Sequence, residues 1–556
     1  MARLTLILGV LAAVVYLLDG FRFALNEWRN WRNKGTWLVG LALCLVPSPA
    51  WATIYYMDSD VGTSGTGLSW ATAWKNWSNI TGLVPGDTVN ISGGAVSKNY
   101  SVGEYLGASG TPGNRITYQV STESDHNGMV NINFTATPPP YQWIYADPVG
   151  VNYNQWIAIS GEVNGTQKMT VTAPLILFGD NSQGITLRYL ITNGQYRAYD
   201  SDTMEVDHVT FNGPNGIDGI LLGIGRLPGV QGYPANSYTR NSIHHSEFYI
   251  IADNDGSGNG DDAIQNVGNI SIYNNRFIGV DVPVYLGVQH QDGIQTRGPR
   301  VRIYNNYFEH IWNYPVYGDI RDAAEPESFQ VFNNVFYNNP SQNVAIGCGG
   351  VASNLDDIRV FNNTFINAGN GIFLGQGEVG CTVSNGYIVN NLFYNIGAST
   401  IVSVGGVTIS NNSDGSTVNR NFVNPASDFH LTATSSAALD LGISPSYLTD
   451  ITNLDRDNNV RNVGDWDLGA YEFGSGAATS PVVIARVLRW MEVAAFVTGI
   501  GWHFRKPLMA VCLAVLSVGG TAVQLAPKSY DTVKVVSRDS AVKVLTMFNH
   551  LTKPRD

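Results

Sequence analysis

Two asparagines, one variable residue and a phenylalanine recur five times in this chain, and a motif with a fixed period limits what the chain can fold into. The copies are Asn274-Asn275-Arg276-Phe277, Asn305-Asn306-Tyr307-Phe308, Asn333-Asn334-Val335-Phe336, Asn362-Asn363-Thr364-Phe365 and Asn390-Asn391-Leu392-Phe393. Their phenylalanines lie 31, 28, 29 and 28 residues apart. A period in this range signals a solenoid, in which one unit is stacked many times and buries its core against its neighbours.

Each copy follows a short alternating stretch, such as Ile270-Ser271-Ile272-Tyr273 or Val301-Arg302-Ile303-Tyr304. Period-two alternation of β-branched residues marks a strand with one buried face. Residues 180–430 show no clear apolar period near 3.6, which disfavours helical repeats. Paired asparagines suit a tight bend, because Asn tolerates the left-handed conformation and bonds to nearby backbone. The expected fold is therefore all-β, a parallel β-helix. Its asparagines would form a ladder along the axis and its phenylalanines would stack inside. Phe211 and Phe248 extend the pattern upstream, with His208 and His245 standing in the place of the first asparagine. One upstream coil carries an insertion, expected to include Gly223–Pro234. Downstream, Asp414 replaces phenylalanine after Asn411-Asn412, where the solenoid is expected to end.

Sixty glycines and 14% charged residues suit a turn-rich β solenoid. The net charge of −12 argues against nucleic acid as a partner, since phosphate binding needs a basic face. The termini carry membrane signals. Leu4–Leu18 is apolar; Arg29, Arg32 and Lys34 then precede apolar Thr36–Val46 and an A-x-A site at Ala50-Trp51-Ala52, the order of a secretory signal peptide. Cleavage after Ala52 is expected, with an uncleaved two-helix anchor as the alternative, and either way the solenoid is exported. Val482–Phe504 reads as an interfacial helix or a poor span, Pro507–Ala526 as a membrane span, and the tail from Lys528 as basic and cytoplasmic. The chain would thus be membrane-associated through its terminal hydrophobic segments. Cys348 and Cys381 are 33 residues apart, about one coil, so they form a disulfide or two stacked buried thiols.

The segment Ile54–Asp60, then Gly67–Trp74 and Pro85-Gly86-Asp87-Thr88-Val89, closely resembles the start of secreted right-handed parallel β-helix proteins of the pectate-lyase-like superfamily. Phe429–Thr432, Ala438–Gly442, Arg461 and Asp465–Glu472 resemble their closing segment. The resemblance implies a right-handed coil with an amphipathic helix capping its N-terminal end. Trp70, Trp74 and Trp77 have the spacing for that helix and would plug the core. The chain then divides into a hydrophobic segment plus signal peptide (1–52), a cap (53–110), the β-helix (111–425), a closing segment (426–473), a linker (474–481), membrane-associated helices (482–526) and a basic tail (527–556). The fold carries lyases, hydrolases, isomerases and binding proteins, so function rests on side chains.

A second repeat, offset from the first, supplies the candidates. Gly260-Asp261-Asp262-Ala263-Ile264-Gln265 is answered by His290-Gln291-Asp292-Gly293-Ile294-Gln295, which places Asp262 and Asp292 one coil apart. A column of acids suits a glycosidase or a Ca²⁺ site, and Asp319 would extend it. Asp262 shares a strand face with Ile264, and Asp292 with Ile294, so with the isoleucines inward the aspartates are expected in the turn before each strand, capping amides. Asp261, Asp262, Asp292, His290 and Arg297 are the candidate catalytic residues. Gln265, Gln295, Arg321 and Tyr304 are candidate substrate contacts, and Asp262, Asp292 and Asp319 candidate Ca²⁺ ligands. Gly260-Asp261-Asp262 resembles the paired-aspartate motif of polygalacturonase-type hydrolases. The competing route, β-elimination from a uronate polymer, needs a base, and lysine is absent from Met169 through Arg505. The third reading is a non-catalytic glycan-binding or adhesin-like surface protein that uses Tyr273, Tyr304, Tyr307, Phe361 and Tyr387 as a platform. The expected partner in each case is an extracellular polysaccharide.

Overall fold

The structure is a computed structural model. It describes residues 52–102, 108–134, 141–144, 155–178, 183–199, 202–213, 220–225, 241–251, 262–266, 268–280, 291–298, 300–320, 328–348, 354–375, 381–416, 420–444, 453–461 and 465–474, with two short strands at 522–525 and 533–536. The chain divides into one unit spanning Ala50–Gly476 and another of Met1–Pro49 with Ala477–Asp556.

The first unit is a parallel β-helix with three faces. One full coil runs through Ile270–Tyr273 on the first face, Arg276–Val280 on the second and Asp292–Thr296 on the third. The next coil begins at Val301–Tyr304, which pairs in parallel with Ile270–Tyr273. The first face is a thirteen-stranded parallel sheet. Its strands Ile54–Met57 and Thr88–Ile91 come from the segment expected as a cap.

The alternation predicted from sequence is the cause of this stacking. Ile243, Ile272, Ile303, Val331, Val360 and Ile388 form one in-register inward row on the first face, all fully buried. The phenylalanines from Phe211 to Phe393 form a second row, stacked at centroid distances of 4.6–4.9 Å. Leu222, Ile264, Ile294, Val316, Val344 and Ile372 form the third. Each buried Phe or Ile contributes about 1.5–3 kcal/mol relative to an exposed one.

The asparagine pair makes the first corner, and the two members differ in role. The first adopts the left-handed conformation, with φ of 57° at Asn274 and Asn305 and 54° at Asn333. The second forms the buried ladder, in which the amide of Asn275, Asn306, Asn334, Asn363 and Asn391 donates to the next coil's Oδ1 at 2.9–3.1 Å.

Several expectations are revised. The Trp70–Trp77 segment is not an amphipathic helix; it contains two single 3₁₀ turns, Trp70–Thr72 and Trp77–Asn79. Between them Trp74 bridges Met57 as a strand would, and the Trp74 carbonyl accepts from the Asp58 amide. Trp74 and Trp77 still enter the core, whereas Trp70 stacks on His126 outside it. Gly223 belongs to the strand Ile220–Gly225, so the insertion does not begin there. At the C-terminus, Ala522–Leu525 forms an antiparallel strand pair with Val533–Val536 rather than the end of a helical span. The remaining terminal segments lie outside the described residues. Among the described residues no helix is long and apolar enough to cross a membrane. Cys348 and Cys381 form a disulfide.

The closing segment runs back along the outside of the second face. Phe422, Phe429, Leu431, Leu468 and Ala470 cover the outward residues Val335, Ile366 and Leu392. Left-handed asparagines of the coil anchor it: Asn333 donates to Leu454 O at 2.8 Å, Asn390 to Ile443 O at 2.8 Å and Asn411 to Leu441 O at 2.9 Å. Gly469 has φ of 92° and passes so close to the coil that a Cβ there would lie 2.5 Å from Thr364 Oγ1. Fully buried Arg461 pairs with Glu472 at 3.2 Å and donates to Asn333 Oδ1 at 3.0 Å, which fastens the segment to its own end and to the coil.

Candidate functional site

Asp262 and Asp292 open the third-face strands Asp262–Asn266 and Asp292–Thr296 and are partners in register, as their spacing requires. Both are enclosed, at 3% and 1% exposure. They therefore lie neither in the preceding turn nor on an open face. The covering residues come from the next coil: Asp292 Oδ1 accepts from the Tyr314 amide and from Asn313 Nδ2, each at 3.2 Å. Partly buried Asn313 connects the carboxylate to the surface, between Trp312 and Tyr314. Gln291, next to Asp292, holds that crossing in place by accepting from the Trp312 amide at 2.9 Å and donating to Ile250 O at 2.9 Å.

The other predicted residues are placed unevenly. Gln265 donates to Gln295 Oε1 at 2.5 Å, continuing the same two coils. Arg297 follows the strand, and its amide donates to Asn266 O at 3.0 Å. Asp319 is far from the pair. Asp292 registers with Tyr314 and Thr296 with Gly318, so Asp319 is five residues further along the strand, about 16 Å away at 3.3 Å per residue. It cannot share an ion with Asp262 and Asp292. Asp261, His290 and Arg321 lie outside the described residues.

Tyr304 is on a different face. It belongs to an outward first-face row, Arg188, Asp207, His244, Tyr273, Tyr304, Phe332 and Phe361, with one residue per coil. Its rings stack at 4.8–4.9 Å from His244 to Phe361. Each ring face is covered by the ring above or below, so the row presents edges rather than a flat platform for sugars. Phe361 is 2% exposed, against the expectation of an open aromatic. Tyr307 lies on the second face and Tyr387 in the neighbouring first-face row.

The upstream end of this row holds a group of side chains that the spacing argument passed over. Asp207 Oδ1 is 2.5 Å from His208 Nδ1, 3.1 Å from His244 Nδ1 and 3.7 Å from His245 Nδ1. Arg188 Nη2 reaches Asp207 Oδ2 at 3.2 Å, and Glu205 lies 3.7 Å from His244 Nε2. Burial opposes ionisation of Asp207, but hydrogen bonds from His244 and His208 outweigh it and hold its pKa at about 2. Burial likewise opposes protonation of His244, and hydrogen bonds to Asp207 and Glu205 outweigh it and raise its pKa to about 9. His245 is pushed down by burial and by the neighbouring His244 and His208. Glu205 is lowered chiefly by its hydrogen bond with His244.

No protein-family model matches the chain, and no curated protein matches it. Solved structures similar to it include the pectate lyase Pel9A, at 16% identity over 76% of this chain and 96% of that one, with a TM-score of 0.42. A rhamnogalacturonan lyase aligns at 13% identity over 67% of this chain and 91% of that one, TM-score 0.39. An alginate lyase from Paenibacillus sp. str. FPU-7 aligns at 14% over 60% and 94%, TM-score 0.29. At these identities and scores the likeness reaches no further than the fold, and chemistry must be read from side chains.

The signal for the imidazole group was present in the sequence. His208 and His245 occupy the asparagine corner, and each follows a residue, Asp207 or His244, that a strand turns outward. Register alone brings all four together.

Proposed function

We propose that the chain is a carbohydrate-active enzyme that binds an extracellular polysaccharide at the third face and breaks its glycosidic bonds at the Asp262–Asp292 pair. The observation that supports this reading is the enclosed, in-register placement of the two carboxyl groups. Neighbouring strands lie about 4.8 Å apart, and two buried like charges at such spacing do not both ionise without compensation. A shared proton relieves them and leaves one acid beside one base. The protonated member then gives its proton to the leaving glycosidic oxygen, and the ionised member, at the close spacing of retaining enzymes, attacks the anomeric carbon; water then displaces that carboxylate from the sugar while the first member takes the water's proton. Asn313, Trp312 and Tyr314 would meet the sugar. A Ca²⁺ ion would take six to eight oxygen ligands. Among the described residues the pair offers two carboxylates with Asp319 out of reach, a poor fit for that ion. The export signals and terminal apolar segments would place this activity at the cell surface.

The test is Asp292→Asn. Asparagine keeps an oxygen to accept from the Tyr314 amide, so the coil should fold with an unchanged melting temperature while cleavage falls at least about 100-fold. Polysaccharide digests should yield new reducing ends without ultraviolet-absorbing unsaturated uronates. An unchanged rate in the variant, or unsaturated products from the parent chain, would remove the acid–base assignment.

A further inference from the structure

We infer that Asp207, His208 and His245 form a binding site for a first-row divalent transition-metal ion of the Zn²⁺ class, separate from the Asp262–Asp292 pair. One ligand atom from each residue lies within 4.8 Å of the other two. A tetrahedral ion with bonds of about 2.0–2.1 Å needs ligand atoms roughly 3.3 Å apart, a small adjustment for three side chains carried on adjoining coils. Two imidazoles and one carboxylate are a donor set for Zn²⁺ and its neighbours, whereas Ca²⁺ prefers oxygen alone.

The backbone fixes these ligands. His208 and His245 both sit in the left-handed corner conformation, at φ of 54° and 52°, and their rings stack 4.9 Å apart and 10° from parallel. Tyr189 stacks on the far side of His208 at 4.5 Å. Both histidine side chains are accessible, at 41% and 44%, while Asp207 is 9% exposed. An ion bridging them would have enclosed protein on one side and an open position on the other.

The surroundings also serve as orienting groups. Arg188 holds the second oxygen of Asp207, which directs Oδ1 at the imidazoles. Asn274 Nδ2 lies 3.2 Å from His245 Nε2. Its amide can equally present Oδ1 to an Nε2–H, and that tautomer leaves the Nδ1 lone pair facing Asp207. His244 Nδ1 is 3.0 Å from His245 Nδ1, close enough to donate a hydrogen bond to an ion-bound water.

The repeat itself supplies the control. Later coils carry asparagine where His208 and His245 stand, so His208→Asn and His245→Asn restore the residue this corner otherwise uses and should fold. The untagged full-length chain is dialysed against chelator and titrated calorimetrically with Zn²⁺ alone, and with Co²⁺ while visible absorption is followed. One equivalent should bind, with Co²⁺ bands of an imidazole-ligated ion. Each variant should weaken binding at least tenfold with its melting profile retained, and Asp207→Asn should do the same. Absence of uptake by the parent chain, unchanged affinity in either histidine variant, or displacement of Zn²⁺ by equimolar Ca²⁺ would overturn the assignment.

Discussion

Asn334 satisfies five polar contacts with one short side chain. Its amide donates to Ile303 O at 2.8 Å, to Phe332 O at 3.0 Å and to Asn363 Oδ1 at 3.0 Å. Its oxygen accepts from the Asn306 amide nitrogen at 2.9 Å and from Asn306 Nδ2 at 3.1 Å. All of these groups are buried, so truncation takes the side-chain partner from one backbone donor and two backbone acceptors and breaks the ladder on both sides, although Asn363 keeps its bond from the Asn334 backbone amide and Asn306 its bond to Ile272 O. Each unsatisfied buried group costs about 1–3 kcal/mol. Asn334→Ala should therefore destabilise the coil by about 3 kcal/mol or more, read as a lower denaturant midpoint with an unchanged slope. The first asparagine has a different job. Asn305→Gly keeps the left-handed corner available and should cost much less than Asn334→Ala in the same unfolding series. Two adjacent residues of identical type thus separate into a conformational role and a bonding role, which a repeat pattern alone does not distinguish.

At the scale of elements, the strands and corners were legible because their causes are local. Alternation sets the buried face, and asparagine sets the bend. The N-terminal aromatics misled for the same reason: spacings of four and three read as a helix, while Trp74 is claimed by a distant strand through its bridge to Met57. The burial of Asp262 and Asp292 was hidden because the covering residues, Trp312 to Tyr314, come from the next coil. The closing segment has no period, so its path could not be read at all. Within it, His430 clamps two pieces, donating from Nδ1 to Asp428 and from Nε2 to Asp457, each at 2.5 Å. The hydrogen bond to Asp457 leads in raising the His430 pKa to about 9, against burial, with Asp428 adding to it. Burial opposes ionisation of Asp428, but the side-chain and backbone hydrogen bonds from His430 and its charge together outweigh it and lower the pKa, and Asp457 is lowered chiefly by its own bond to His430. The signs define a window. The histidine contribution is complete below its ordinary pKa of 6.5 and disappears as pH rises through about 9. The aspartate contributions are complete above their ordinary 3.8 and disappear as pH falls below it. All three side chains are 39–45% exposed, so solvent screening limits the clamp to about 1 kcal/mol or less. The stability difference between the parent and His430→Gln should peak between pH 4 and 6.5 and vanish near pH 10 in denaturant titrations. A flat difference across that range would show that the clamp contributes no charge-dependent stability.

For the whole β-helical unit, the return of the closing segment along one side changes what the fold must protect. A stack of coils has two open ends, and edge pairing there is the usual hazard. Here a long stretch of chain is spent instead on the flank, where Val335, Ile366 and Leu392 face outward and would form an apolar strip without Phe422, Phe429, Leu431, Leu468 and Ala470. The coils themselves do not depend on that cover for their interior, because the three inward rows belong to a separate core. Removing residues 420–474 should therefore leave the β spectrum in the far ultraviolet while exposing the strip. Such a truncated chain should bind a hydrophobic dye and sediment as oligomers at concentrations where the parent is monodisperse, and Ile366→Lys in the truncated chain should reduce both effects. Loss of the β spectrum on truncation would mean instead that the flank segment is needed for the coils to form, and the core would then have to be regarded as one body from Ile54 to Tyr471.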